Sequence, residues 1–235
     1  MGEVIHGDIF CKDKIGNFID DGYNGSAYRY DDDKVIKIQE CPGSAYQYDV
    51  VSSIKNLNLA YFYRLYDVLY TEKCGLRTFK GTISQYYSDV DINLWTERVD
   101  YVIDGFNGIL NSASRLGENR ILINDISLNN VILTSNGPVV IDVDDYIKDL
   151  SSSSLEITLE NFRILKENVF SGLLLSHYMR YLIDGRNNGQ IIADERSKVL
   201  GFIDQLVNSD NANDKDAFFR GLSKYKYPVD YLKHR

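Results

Sequence analysis

Residues 121–145 read ILINDISLNNVILTSNGPVVIDVDD, and this stretch decides the fold. Two apolar runs, 121–123 and 131–133, bracket a polar segment, so Asp125, Ser127, Asn129 and Asn130 are forced into one short loop. Asn136-Gly137-Pro138 then makes a hairpin that returns the chain beside the preceding strand. The returning run Val139-Val140-Ile141 ends on Asp142. A carboxylate at the end of a buried strand is costly unless it binds a cation or is well hydrogen-bonded. Asp142 is therefore read as a metal ligand, with Asp144 and Asp145 the more exposed acids of the group. On the loop before it, Asp125 is suited to accept a hydrogen bond from an attacking hydroxyl, and Asn130 to ligate magnesium. A plain polar turn between two strands is the competing reading.

Upstream of this stretch the chain reads as strands and turns up to about residue 90. Phe18-Ile19 leads into the turn Asp21-Gly22-Tyr23-Asn24-Gly25, residues 26–30 return as a strand, and Asp31-Asp32-Asp33 forms a hairpin tip. Residues 44–58 suit a helix, with Tyr46, Val50, Ile54 and Leu57 at helical spacing after Pro42-Gly43. Strand-like stretches follow near 61–70 and 76–87. Downstream the pattern turns helical, over 95–116, about 157–184, 194–207 and 214–223. The serines at 151–154 are too few to form a linker between domains. One α+β domain over 1–235 is expected, β-rich in front and helical behind.

Two upstream features carry chemistry of their own. Glycines at 22 and 25 let backbone N–H groups approach phosphate oxygens, although Asn-Gly is equally an ordinary hairpin signal. Lys37 is the single charge inside Val35-Ile36-Lys37-Ile38, and alternation separates it from Ile36 and Ile38. Its ammonium is suited to bridging the phosphates of a nucleotide, or else to lying solvated on a half-exposed strand.

Composition narrows the function. A net charge of −8 over 235 residues argues against nucleic acid or anionic membrane as the main partner. Cys11, Cys41 and Cys74 are odd in number and widely spaced, which points to a reducing compartment rather than a disulfide scaffold or zinc site. No stretch has the length of a signal-peptide core or a membrane span. The expected location is the cytoplasm of the cell that makes it; export without a cleaved signal would leave no mark here.

Taken in order, these elements resemble the protein-kinase family over most of the chain. Gly22 and Gly25 look like the second and third glycines of its GxGxxG loop, with Asp20 at the first. Val35-Ile36-Lys37 resembles the VAIK strand, Asp125 and Asn130 stand at the spacing of HRDxxxxN, and Asp142 stands at the aspartate of DFG. The resemblance implies a bilobal fold, with a β-rich N-lobe (1–87) carrying one main helix, a mainly helical C-lobe (88–235) and a hinge near 84–89. It implies an ATP- and magnesium-dependent phosphotransferase acting on a hydroxyl, most simply a protein Ser or Thr side chain. Asp125 and Lys37 would be catalytic. Gly22, Asn24, Gly25 and Ser26 would join Lys37 at the nucleotide, and Asn130 and Asp142 would hold Mg2+.

The departures are specific. Ile123 and Asn124 replace the His and Arg of HRD, Ser127 replaces the catalytic-loop lysine, Val143-Asp144 replaces Phe-Gly, and no APE motif follows. The helix at 44–58 contains no glutamate, which leaves Asp49 as the only acid there to pair with Lys37. Besides transfer of a nucleotide rather than a phosphate on a kinase-like fold, two alternatives stay open. One is a small-molecule phosphotransferase of the aminoglycoside or choline type, whose Ile-Asp-x-x-Asp pattern residues 141–145 also satisfy. The other is a nucleotide-binding pseudokinase.

Overall fold

The computed structural model describes residues 4–22, 24–41, 43–87, 99–134, 136–165 and 168–169. In the front of the chain, alternating residues form β1 (Ile5–His6), β2 (Ile15–Gly22), β3 (Gly25–Tyr30), β4 (Lys34–Gln39), β5 (Leu65–Lys73) and β6 (Leu76–Gln85). They pair antiparallel as one six-stranded sheet in the order β1-β5-β6-β4-β3-β2. Between β4 and β5 lies α1 (Ala45–Leu57), which buries Val50, Val51 and Ile54. Behind the sheet come α2 (Val99–Glu118), β7 (Ile121–Leu122), β8 (Val131–Thr134), β9 (Gly137–Val140), β10 (Ile147–Lys148) and α3 (Ser154–Leu165). The architecture is α+β, with a six-stranded antiparallel sheet and three helices among the described residues.

The two faces of the sheet are both used. Val68 and Phe79 face α1 and belong to the larger core, which continues through Ile109, Ile121, Ile123, Val140 and Leu165. Tyr30, Ile36, Leu69 and Ile83 form a second cluster on which Ile5, Phe10 and Ile15 pack. Phe79 and Ile83 should share a face by period two. A register shift between the Leu69–Gly81 and Tyr70–Phe79 pairs sends them to opposite faces. Burying each such side chain fully contributes about 1.5–3 kcal/mol.

Some expectations shift. The strand expected from residue 61 begins only at Leu65, because Tyr61 adopts φ 60° and breaks the extended run. Residues 61–63 instead join the rear of the molecule: the Tyr63 N–H donates to the Val140 carbonyl at 2.8 Å, and the Val140 N–H to that of Tyr61 at 2.8 Å. Ser153 and Ser154 open the next helix, while Ser151 and Ser152 turn on the Asp149 carboxylate. Ser153 Oγ accepts from the Glu156 N–H at 3.2 Å while the Glu156 carboxylate accepts from the Ser153 N–H at 2.7 Å, a reciprocal capping box. The helix expected from about 157 therefore starts at Ser154. The expected helices at 194–207 and 214–223 lie outside the described residues, as does most of the stretch linking β6 to α2.

Candidate functional site

Lys37 is fixed by β4. Its strand pairs Lys37 with Ala27 on one side and Thr82 on the other, while Ile36 is sealed in the second cluster. Gly81 lets β6 come close here, since a Cβ would meet the Lys37 carbonyl oxygen at 2.0 Å. The lysine thus leaves the sheet on the face opposite Ile36, as alternation requires.

The acids that meet it come from the far end of β9. Lys37 Nζ lies 2.7 Å from Asp142 Oδ1 and 2.9 Å from Asp144 Oδ2, across more than a hundred residues of sequence. Asp142 takes φ 63°, a left-handed conformation that ends the strand and turns the next residues inward. Val143 then enters the core, and Asp144 is buried rather than exposed, which corrects the sequence reading. The side chain of Asp142 is 36% exposed and that of Asp144 0%. Neither Asp144 oxygen has a well-aligned hydrogen-bond partner among the described residues; Oδ2 meets Lys37 as an ion pair and Oδ1 meets nothing.

Electrostatics follow from this burial. Desolvation opposes the charge of Lys37, but Asp144 and Asp142 outweigh it and hold the ammonium above its ordinary value. Burial pushes the Asp144 carboxyl up to about 6, with Lys37 pulling the other way. Tyr63 is raised well above a normal phenol, first by burial and then by the charges of Asp144 and Asp142. Asp145 is raised by partial burial and by the charges of Asp142 and Asp125.

The loop at 123–130 is held from two sides. Asn161, fully buried on α3, accepts from the Ile123 N–H at 2.7 Å and donates to the Ile121 carbonyl at 3.0 Å. The Asn130 carbonyl accepts from the Ile141 N–H at 2.7 Å, which sets Asn130 beside the chain leading into Asp142. Asp125 is exposed with φ 49°, in the same loop. The Asn130 side-chain oxygen accepts from the Ser127 N–H and hydroxyl, at 2.9 and 2.8 Å.

The glycine turn closes over the acids. Gly22 pairs with Gly25 at the end of the β2–β3 ladder, and the Asn24 amide donates to Asp145 at 3.4 Å. Gly25 has a packing reason as well, because a Cβ would meet the Ile38 carbonyl oxygen at 2.3 Å. Ser26 sits in β3 opposite Asp21 and Ile38.

Asp49 is not brought to Lys37. It is exposed on α1, and among the described residues the acids paired with Lys37 are Asp142 and Asp144. The α1 residue that reaches the site is Gln47, whose amide donates to the Asp144 carbonyl at 2.8 Å. Sequence reasoning missed Gln47, Asp144 and Asn161. Asn161 did leave a signal: it lies between Ile157 and Leu165 at four-residue spacing, a polar residue inside an apolar stripe.

The site's donors are hard oxygens. A half-exposed carboxylate, a nearby amide oxygen and an orphaned buried carboxylate oxygen fit a small divalent cation better than a soft metal. Among the described residues no three His, Cys, Asp or Glu side chains form a closed metal cage, so any such ion would need oxygens from a ligand as well. No described helix is long and apolar enough to cross a membrane. In comparisons with known proteins, no family model and no curated protein matches the chain.

Proposed function

We propose that the chain is an ATP-dependent phosphotransferase with a bilobal, protein-kinase-like fold, acting on a protein Ser or Thr hydroxyl. The observation that carries this reading is the meeting of Lys37 with Asp142 at 2.7 Å, at the junction of the sheet and the β9 strand end. A cation and an acid 105 residues apart in sequence would be an expensive way to build only a core. Beside a triphosphate, the same pair has a task.

In this reading Lys37 exchanges Asp142 for phosphate oxygens when nucleotide enters. Gly22, Asn24, Gly25 and Ser26 cover the phosphates with backbone N–H groups and with the side chain of Asn24, released from Asp145. Asp142 and Asn130 would hold Mg2+, which supplies charge neutralisation of the phosphates when bound. For Asn130 this requires that its oxygen let go of Ser127. Asp125 orients the acceptor hydroxyl and takes its proton as the new O–P bond forms and the bond from Pγ to the β–γ bridging oxygen breaks, releasing ADP. The protein forms no covalent bond, so positioning and electrostatics do the catalysis.

A small-molecule acceptor is favoured over protein by one feature, the second acid of the Ile-Asp-x-x-Asp pattern. Asp145 faces Asn24 and feels the charge of Asp125. The test is label transfer from γ-labelled ATP with magnesium, using protein acceptors and small alcohols in parallel. Transfer to protein that vanishes in Asp142→Ala supports the proposal. Transfer only to a small alcohol moves the acceptor to the second class. Binding without turnover leaves a pseudokinase.

A further inference from the structure

The phosphotransferase reading leaves open what aims Lys37, because no acid on α1 meets it. We infer that Asp144 is the positioning residue for Lys37, held in turn by Gln47 of α1. This inference rests on the proposed nucleotide site.

Three observations carry it. First, the two acids on Lys37 differ in access: the Asp142 side chain is 36% exposed, whereas Asp144 is at 0%. An open carboxylate is available to incoming ligands; a sealed one is available only to what it already touches. Asp142 is thus free to change partners, and Asp144 is not. Second, Asp144 makes no other polar side-chain contact among the described residues. Its Oδ2 lies 2.9 Å from Lys37 Nζ, and its Oδ1 is unpartnered. A buried carboxylate is costly unless a cation compensates it, so removal of Lys37 from its reach is opposed. When Lys37 leaves Asp142 for phosphate, Asp144 remains as the pivot about which the ammonium swings.

Third, the pivot is tied to α1 without charge. Gln47 occupies the position from which a capping box would close on Ser44. The Ser44 hydroxyl does accept from the Gln47 N–H at 3.0 Å, but the Gln47 amide goes to the Asp144 carbonyl at 2.8 Å. One residue earlier, Tyr46 donates its hydroxyl to the Lys148 carbonyl at 2.8 Å and accepts from the Lys148 N–H. The first turn of α1 therefore grips the segment 144–148 at both ends. Movement of α1 reaches Lys37 through this grip and through Asp144, the route that a direct helix–lysine ion pair would otherwise provide.

The test compares binding of ATP and of adenosine by calorimetry in wild type, Asp144→Asn and Gln47→Ala, each with and without magnesium. Adenosine lacks the phosphates that Lys37 would hold, so it reports folding and base binding alone. Asp144→Asn is expected to weaken ATP roughly tenfold, the effect of removing a charged partner, with adenosine unchanged. Gln47→Ala is expected to weaken ATP by a smaller factor in the same direction. The magnesium concentration giving half-maximal enhancement of ATP binding should stay where it is in both variants. A tenfold rise in that concentration would make Asp144 a metal ligand and overturn the inference. Unchanged ATP binding in Asp144→Asn would overturn it too. If adenosine binding is lost in Asp144→Asn, Gln47→Ala decides: unweakened ATP binding there rejects the inference. Wild-type protein that binds no ATP would remove the proposed function itself, and this inference with it.

Discussion

Two helices of this protein begin with the same local instruction and obey it differently. Ser44-Ala45-Tyr46-Gln47 opens α1 and Ser153-Ser154-Leu155-Glu156 opens α3; each is a serine followed three residues on by Gln or Glu. At α3 the box closes on itself, with both Ser153 and Glu156 accepting. At α1 only the serine half forms, and Gln47 reaches across to the Asp144 backbone. The helix that keeps its cap serves stability, and the one that gives half of it away touches the site. A broken local rule of this kind is where functional constraint is expected.

The largest effect should come from the cation that this arrangement serves. Lys37→Met is expected to lower phosphoryl transfer about 100-fold or more. It should also destabilise the fold by about 3 kcal/mol in urea unfolding, because Asp144 is left buried without its counter-charge. Adding Asp144→Asn should return most of the stability and none of the activity. If stability is not recovered, Lys37 and Asp144 are not coupled as described.

The α3 side of the comparison sharpens at Asn161. Replacing it with Leu keeps similar volume but leaves the Ile123 N–H and the Ile121 carbonyl without their side-chain partner. A loss of about 2–3 kcal/mol in unfolding is expected, and transfer per folded molecule should fall as well, because the loop carrying Asp125 and Asn130 loses one of its two anchors.

How much of this was readable follows from particular residues. Lys37 and Asp142 stood out because a lone charge among branched apolar residues has few places to go. The six-strand sheet was legible in its central strands for the same reason of alternation. Asp144 was misread because a charge just past a strand end carries no local mark of burial; its partner, Lys37, lies more than a hundred residues away in sequence. Gln47 was hidden by its resemblance to a cap. Two-residue strands such as β1 and β10 carry too short a pattern to be seen.

Smaller effects belong to the self-contained cap. Ser153→Ala should cost about 1 kcal/mol in unfolding and leave the ATP concentration for half-maximal transfer unchanged. A shift in that concentration would erase the contrast with α1. The cap should also be visible in acid. Hydrogen bonds from the Ser153 backbone, then its hydroxyl, hold the Glu156 carboxyl below its ordinary value. Its contribution is therefore present above the ordinary carboxylate range and is lost as pH falls through the lowered pKa. The melting-temperature difference between wild type and Glu156→Gln should be constant from about pH 6 to 8 and disappear in stronger acid. A difference that instead grows on acidification contradicts this cap.

In the proposed reaction Lys37 and Asp142 separate to receive a nucleotide. A crystal structure with a non-hydrolysable ATP analogue and Mn2+ tests it most directly. Lys37 is expected on the phosphates while still touching Asp144, with the anomalous peak of the metal at Asp142 and Asn130. A nucleotide bound elsewhere, or Lys37 still closed on Asp142 beneath it, would mean that the pair does not open for nucleotide.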